Sequence, residues 1–164
     1  SNSVANVAMA FPKSAIEKDI DGTGFLVSRN SDFRITACTW THKKWPGTSP
    51  DDMALLRCYV GKPDDQEAVD LSDEEIVELV LKDLNKTMNI IEKPLFHIVT
   101  RWRKAMPQYT VGHLERIAQV KKQLSQELPG VFLAGGSFEG VGIPGCIDQA
   151  ESAVVKVISH LTSK

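Results

Sequence analysis

The sequence predicts a mixed fold, α+β over its first two thirds and passing to α/β at its end. Three observations carry that expectation. Residues 4–60 hold four short β-rich runs separated by turn signals, a capped amphipathic helix follows, and the last third links a helix, a short apolar run, a glycine-rich loop and another helix.

The first run, V-A-N-V-A-M-A-F at 4–11, is apolar and ends at Pro12. T-G-F-L-V-S at 23–28 and the alternating F-R-I-T-A-C-T-W at 33–40 flank the turn-like Arg29-Asn30-Ser31-Asp32, which makes them a hairpin. Proline and glycine mark 45–50 as a loop. M-A-L-L-R-C-Y-V at 53–60 is a fourth strand, closed by Gly61 and Pro63, and the short links favour a mostly antiparallel sheet. Ser72 with Glu75 three residues on is a capping box, opening a helix along Val77, Val80, Leu81, Leu84 and Met88. Beyond the break at Pro94, F-H-I-V-T-R-W-R at 96–103 alternates as a strand. It places Phe96, Ile98 and Trp102 on one face and His97, Val99, Arg101 and Arg103 on the other.

Leu114, Ile117, Ala118, Leu124 and Leu128 trace a helix stopped by Pro129-Gly130. Residues 131–134 then read as a short buried strand of the parallel-sheet kind. The loop G-G-S-F-E-G-V-G-I-P-G at 135–145 carries five glycines. Through Pro144, suited to a first helical turn, it enters a helix along Ile147, Ala150, Val154, Val157 or Ile158, and Leu161. No G-x-G-x-x-G unit with a downstream acidic residue accompanies it.

Composition narrows the function classes. The 164 residues suffice for one domain with a core, and a net charge of −2 gives no ground for nucleic acid as the main partner. No apolar stretch approaches the ~18 residues of a membrane-spanning helix, which leaves only peripheral membrane contact open. Ser1-Asn2-Ser3, with neither initiator Met nor signal-peptide pattern, reads as a cloning remnant. Cys38, Cys58 and Cys146 are odd in number and widely spaced, so neither a disulfide framework nor a zinc site is expected, and a reducing cytoplasmic setting fits. Cys38 and Cys58 read as small core residues. His42, His97 and His113 lack ligand-like spacing, so no metal is expected.

Chemistry is expected at the glycine loop. Glycine permits positive φ and lets the backbone approach a ligand closely. The helix start behind it offers free N–H groups and a positive dipole end, suited to a phosphate or to the charge on a reduced flavin edge. An ordinary glycine-rich turn is the alternative.

Three motifs carry a resemblance. A-G-G-S-F-E-G-V-G-I-P-G-C-I-D-Q-A at 134–150 resembles the C-terminal flavin motif of the protoporphyrinogen and coproporphyrinogen oxidases, within the wider group of flavin-dependent amine-oxidase-like proteins. P-Q-Y-T-V-G-H at 107–113 and T-W-T-H-K-K-W-P at 39–46 are similar to the same family and stand in its order. The resemblance implies an FAD-dependent, oxygen-using oxidase that converts coproporphyrinogen III or protoporphyrinogen IX to the porphyrin in heme biosynthesis. It also implies a discontinuous Rossmann-type FAD domain that the chain leaves and re-enters. Residues 1–103 would be the later part of a mostly antiparallel substrate domain, and 104–164 the returning strand, loop and helix of the FAD domain. The dinucleotide fingerprint would then lie in a missing N-terminal part of the same chain, and the isolated fragment is expected to be inactive and to lose FAD.

By position, the resemblance assigns Val141, Gly142 and Ile143 to the backbone touching the flavin, Gly135 and Gly136 to the pyrophosphate or ribityl chain, and Trp102 to an aromatic near the cofactor. Gly142 is expected to adopt a conformation open only to glycine, and Glu139 to point away from the anionic cofactor. Such chemistry belongs to the flavin, so no catalytic base or nucleophile is assigned. Arg101 and Arg103 are candidates for pairing the substrate carboxylates, with Lys43, Lys44 and Arg57 as further basic residues, against a merely solvated charged face. Cys146, in the first turn of the last helix, is either an activated thiol or a packed one. Two other readings stay open: an amine-oxidase-type flavoenzyme with a different substrate, and a non-enzymatic tetrapyrrole-binding module.

Overall fold

Alternate residues of strand β1 (Asn2–Pro12) send Ala5, Val7, Met9 and Phe11 to one side, where all four are fully buried. The computed structural model describes residues 1–16 and 21–163, which divide into two units, Ser1–Met106 and Pro107–Lys164.

In the first unit β1 sits inside a five-stranded sheet with β2 (Gly24–Leu26), β3 (Ile35–Trp40), β4 (Met53–Val60) and β5 (Phe96–Met106), in the order β2-β3-β4-β1-β5. Every pairing is antiparallel. The expected hairpin forms over the shorter spans of β2 and β3. A short helix, α1 (Thr41–Lys44), follows β3, where no helix was expected. Four residues make only one turn and show no periodicity to read.

Helix α2 (Asp73–Met88) covers one face of the sheet with Ile76, Val80 and Leu84, all fully buried. Each fully buried side chain of this size contributes about 1.5–3 kcal/mol of transfer free energy. The capping box is present: Ser72 Oγ accepts from Glu75 N at 3.2 Å, and the Glu75 carboxylate accepts from Ser72 N at 2.8 Å. Accepting that N–H lowers the Glu75 pKa. Asp83, buried on α2, accepts the backbone N–H groups of Arg34 and Ile35 at 2.7 and 2.9 Å and so ties the helix to the start of β3. Cys38 and Cys58 face each other across β3 and β4 in the core, as small buried residues.

Edge strand β5 keeps the expected division of faces. Arg101, Val99 and His97 lie opposite Ala5, Val7 and Met9, on the α2 side. Trp102, Ile98 and Phe96 lie opposite Val4, Ala8 and Ala10, on the uncovered side. The ladder is irregular between Asn2 and Val4, and Lys104, in the facing stretch of β5, takes a left-handed φ of 49°.

The second unit holds helices α3 (His113–Glu127) and α4 (Ile143–Thr162) with the glycine loop between them. The expected strand at 131–134 does not form, and Val131 and Phe132 are exposed. A strand needs a neighbour for its N–H and C=O groups, and among the described residues of this unit no strand is present to supply one. The apolar stripes of both helices are present but uncovered: Leu114, Ile147, Val154, Ile158 and Leu161 are exposed, and no described residue of the unit is buried.

Candidate functional site

The loop at 135–145 owes its shape to two glycines and three side chains. Gly135 and Gly140 take φ of 126° and 127°, a region that a residue with a Cβ rarely occupies. Between them Phe138 N donates to Gly135 O at 3.0 Å, closing a turn. The Tyr109 hydroxyl donates to Gly136 O at 2.6 Å and accepts from Gly140 N at 2.7 Å, so that one oxygen bridges both arms of the loop. Its ring stacks on His113, with centroids 4.1 Å apart and planes 8° from parallel. His113, the first residue of α3, donates from Nε2 to Phe138 O at 2.7 Å, which requires the Nε2-protonated tautomer or the cation.

From the other side, Gln149 on α4 accepts Gly135 N at 3.2 Å and donates to Gly140 O and Gly145 O at 3.4 and 3.0 Å. The Cys146 thiol lies 3.6 Å from Gly140 O, a weak hydrogen bond that makes it a packed thiol supporting the loop. Glu139 pairs with Lys121 of α3 at 2.6 Å.

Behind the loop, α4 runs for 20 residues with Pro144 in its first turn, Gly142 as N-cap, no side-chain cap and no acidic residue in the first turn. Its start therefore combines a positive dipole end with N–H groups that no side chain satisfies. Gly142 itself has φ −73° and ψ 150°. That is ordinary extended backbone, so the expected glycine-only conformation is not found there. The positive φ belongs to Gly140, two residues earlier, because the chain reverses at the Tyr109 bridge and is already extended where it enters α4.

Of the residues singled out from sequence, Gly135, Gly136, Val141, Gly142 and Ile143 come together in this one loop, with Val141 and Ile143 exposed. Trp102, Arg101 and Arg103 belong to β5 of the first unit. Arg101 donates to Val69 O at 2.9 Å, Leu71 O at 2.6 Å and Asp73 at 2.6 Å, binding the turn before α2. Arg103 pairs with Asp70, and both are largely exposed. Tyr109, His113 and Gln149 were not expected as loop supports. Their signal was present in the P-Q-Y-T-V-G-H and D-Q-A segments, which carry the family resemblance but show no spacing that assigns a role.

A cofactor with an electron-rich edge fits these residues. A Cβ built at Gly135 meets nothing within 4 Å, the helix start is uncapped, and no carboxylate lies in its first turn. Residues 1–158 match the family described as flavin containing amine oxidoreductase. The chain belongs to that family. Among the flavin-containing amine oxidoreductases it is 54% identical over 163 residues to a coproporphyrinogen III oxidase of Bacillus subtilis (strain 168), covering 99% of this chain and 35% of the relative. A Staphylococcus aureus protein of the same name is 47% identical over 98% of this chain and 34% of its own length. The crystal structure of a provisionally named protoporphyrinogen oxidase from Exiguobacterium sp. 255-15 superposes with a TM-score of 0.82 at 36% identity, covering 99% of this chain and 35% of that one. The chain thus spans about a third of the length of these family members.

Proposed function

We propose that this chain is part of an FAD-dependent, oxygen-using oxidase of the cytoplasm that converts a porphyrinogen, coproporphyrinogen III first among the candidates, to the porphyrin in heme biosynthesis. The observation that carries the reading is the 54% identity with a coproporphyrinogen III oxidase across 99% of this chain. A bound flavin would supply the redox chemistry, accepting hydrogen from the substrate and passing it to oxygen.

This chain's own residues have three tasks under that reading. The backbone of Val141, Gly142 and Ile143 lies against the flavin, with Gly135 and Gly136 beside the pyrophosphate or ribityl chain. The uncapped start of α4 favours negative charge at the adjoining edge. Tyr109, His113 and Gln149 hold the loop so that its N–H groups need not reorganise. Trp102 provides the aromatic near the cofactor; Arg101 and Arg103, the sequence-based candidates for the substrate carboxylates, stand on the α2 side of β5 beside Asp73 and Asp70, the face away from Trp102. Of the two, Arg103 has the larger reserve of N–H donors, because Arg101 already serves two carbonyls and Asp73.

We assign residues 1–103 to a substrate domain and 104–164 to the returning part of a Rossmann-type FAD domain. The uncovered apolar stripes of α3 and α4 support this, since helices of such length draw most of their stability from packing. The other partner is then a further segment of the same protein.

The test uses the full-length protein carrying this chain. With coproporphyrinogen III under air it should show flavin absorbance and release fluorescent porphyrin. A flavin-loaded protein that oxidises an amine but neither coproporphyrinogen III nor protoporphyrinogen IX would overturn the substrate assignment. The 164-residue chain alone should purify without flavin. A yellow preparation would refute the split cofactor site.

A further inference from the structure

The face of the sheet opposite α2 carries a trough with one cationic wall. Its floor is β1, where Asn6, Ala8 and Ala10 offer only small side chains. Strand register sets Tyr59, Arg57 and Leu55 of β4 along one side of that floor and Thr100, Ile98 and Phe96 of β5 along the other. The walls are two strand spacings apart, about 10 Å. Ile98 and Phe96 are exposed, and the trough ends in an apolar hollow of about 190 Å³ lined by Ala10, Leu55, Phe96 and Pro50.

Arg57 is the unusual member. Its guanidinium lies over two aromatic rings, 5.5 Å from the Trp45 centroid and 5.7 Å from that of Tyr59. Its Nε is buried without a hydrogen-bond partner. Among the described residues Arg57 forms no ion pair, unlike Arg34, Arg101 and Arg103, which all meet an aspartate. Its neighbours across the ladder are Thr39 and Ala8, neither of which can neutralise it. Ring faces attract the cation but replace only part of its hydration, and with Nε buried it is the two terminal Nη groups that remain to meet an incoming oxygen pair. Lys44, 4.8 Å from the Trp45 ring, adds positive charge to the same ledge.

We propose that Arg57 anchors a carboxylate of the substrate on this face, with Trp45 and Tyr59 holding the guanidinium and the Phe96–Ile98 wall receiving the apolar body of a flat ligand. The assignment rests on the porphyrinogen reading above and names a binding residue within it. Trp102 stands on the same face, opposite Val4, four residues along β1 from Ala8 and two strands across from β4. Arg57 therefore sits about 13 Å along the strands from the end assigned to the cofactor, where it would hold the substrate by a peripheral substituent.

The test is kinetic and uses the full-length enzyme with coproporphyrinogen III and its methyl ester, which lacks the carboxylates. Arg57→Leu should raise KM for the acid by about 10- to 100-fold, with kcat and flavin content close to wild type. It should also lose most of the wild-type preference for acid over ester. Arg57→Lys keeps the charge without the fork, should fall between the two, and decides the matter if Arg57→Leu does not fold. Unchanged KM and an unchanged acid-to-ester ratio in the folded variants would overturn the role of Arg57 and leave the porphyrinogen reading standing. A wild-type enzyme that oxidises no porphyrinogen would overturn both.

Discussion

The Tyr109 hydroxyl accepts the backbone N–H of Gly140 at 2.7 Å while donating to Gly136 O at 2.6 Å, and this single oxygen joins the two arms of the glycine loop. Two net hydrogen bonds contribute about 1–3 kcal/mol together. Tyr109→Phe should keep the stack on His113 yet free both glycine peptides. Under the proposed function we expect the flavin affinity of the full-length protein to fall about 10-fold or more and amide exchange to quicken across 135–140. Titration of the apoprotein with FAD, followed by flavin fluorescence, checks the first, and hydrogen-exchange mass spectrometry the second.

Gly140 and Gly142 separate backbone strain from ligand approach. Gly140→Ala must hold a side chain at φ 127° and should cost about 1–3 kcal/mol, although a Cβ there has room, its nearest neighbour being Gln149 Nε2 at 4.0 Å. Gly142→Ala, at φ −73°, should leave the denaturation midpoint within about 0.5 kcal/mol of wild type. Gly142→Val should nevertheless lower flavin occupancy if the proposed site holds, because its bulk would stand where that proposal brings the backbone to the cofactor. Equal stability losses at both positions in a denaturant titration would contradict this division.

Arg101 and Arg103 should part company in the same way. Arg101→Leu strips hydrogen bonds from Val69 O and Leu71 O and leaves Asp73 without its partner, so a loss of about 1–3 kcal/mol is expected from urea denaturation. Arg103→Leu breaks only an exposed pair with Asp70 and should cost less than about 1 kcal/mol. A rise in KM for the porphyrinogen in Arg103→Leu would thus report on the substrate with little interference from the fold.

Alkaline pH should expose the buried thiols. The hydrogen bond with Cys38, and burial after it, raise the Cys58 pKa well above its ordinary value. A raised folded pKa means the stabilisation is complete below the unfolded thiol range and is lost as pH climbs above about 8.5. The denaturation midpoint should therefore fall with pH in that window, and Cys58→Ala should flatten the fall. Under native conditions a thiol reagent should modify Cys146 before Cys38 or Cys58, which are buried. Equal labelling rates, read by mass spectrometry, would refute the assignment.

Much of this was legible in the sequence because its signals are local. Period-two alternation marked β3 and the two faces of β5, Gly61 and Pro63 closed the run of β4, the Ser72–Glu75 pair marked the start of α2, and glycine density marked the loop. None of these readings needs a partner distant in sequence. The strand expected at 131–134 failed for the complementary reason, since a strand is completed by a neighbour and its apolar run alone cannot supply one. Positive φ at Gly140 rather than Gly142 depends on a tyrosine 31 residues away. The sequence by itself determined which residues would be apolar, which helix would be capped and which family the motifs resemble. Only the tertiary structure decided that Tyr109, His113 and Gln149 grip the loop, that Arg101 is bound to the turn before α2, and that Arg57, set over two rings, meets no counter-ion among the described residues. Contacts of that kind follow from strand register and chain reversal, which bring together side chains that no spacing along the chain connects.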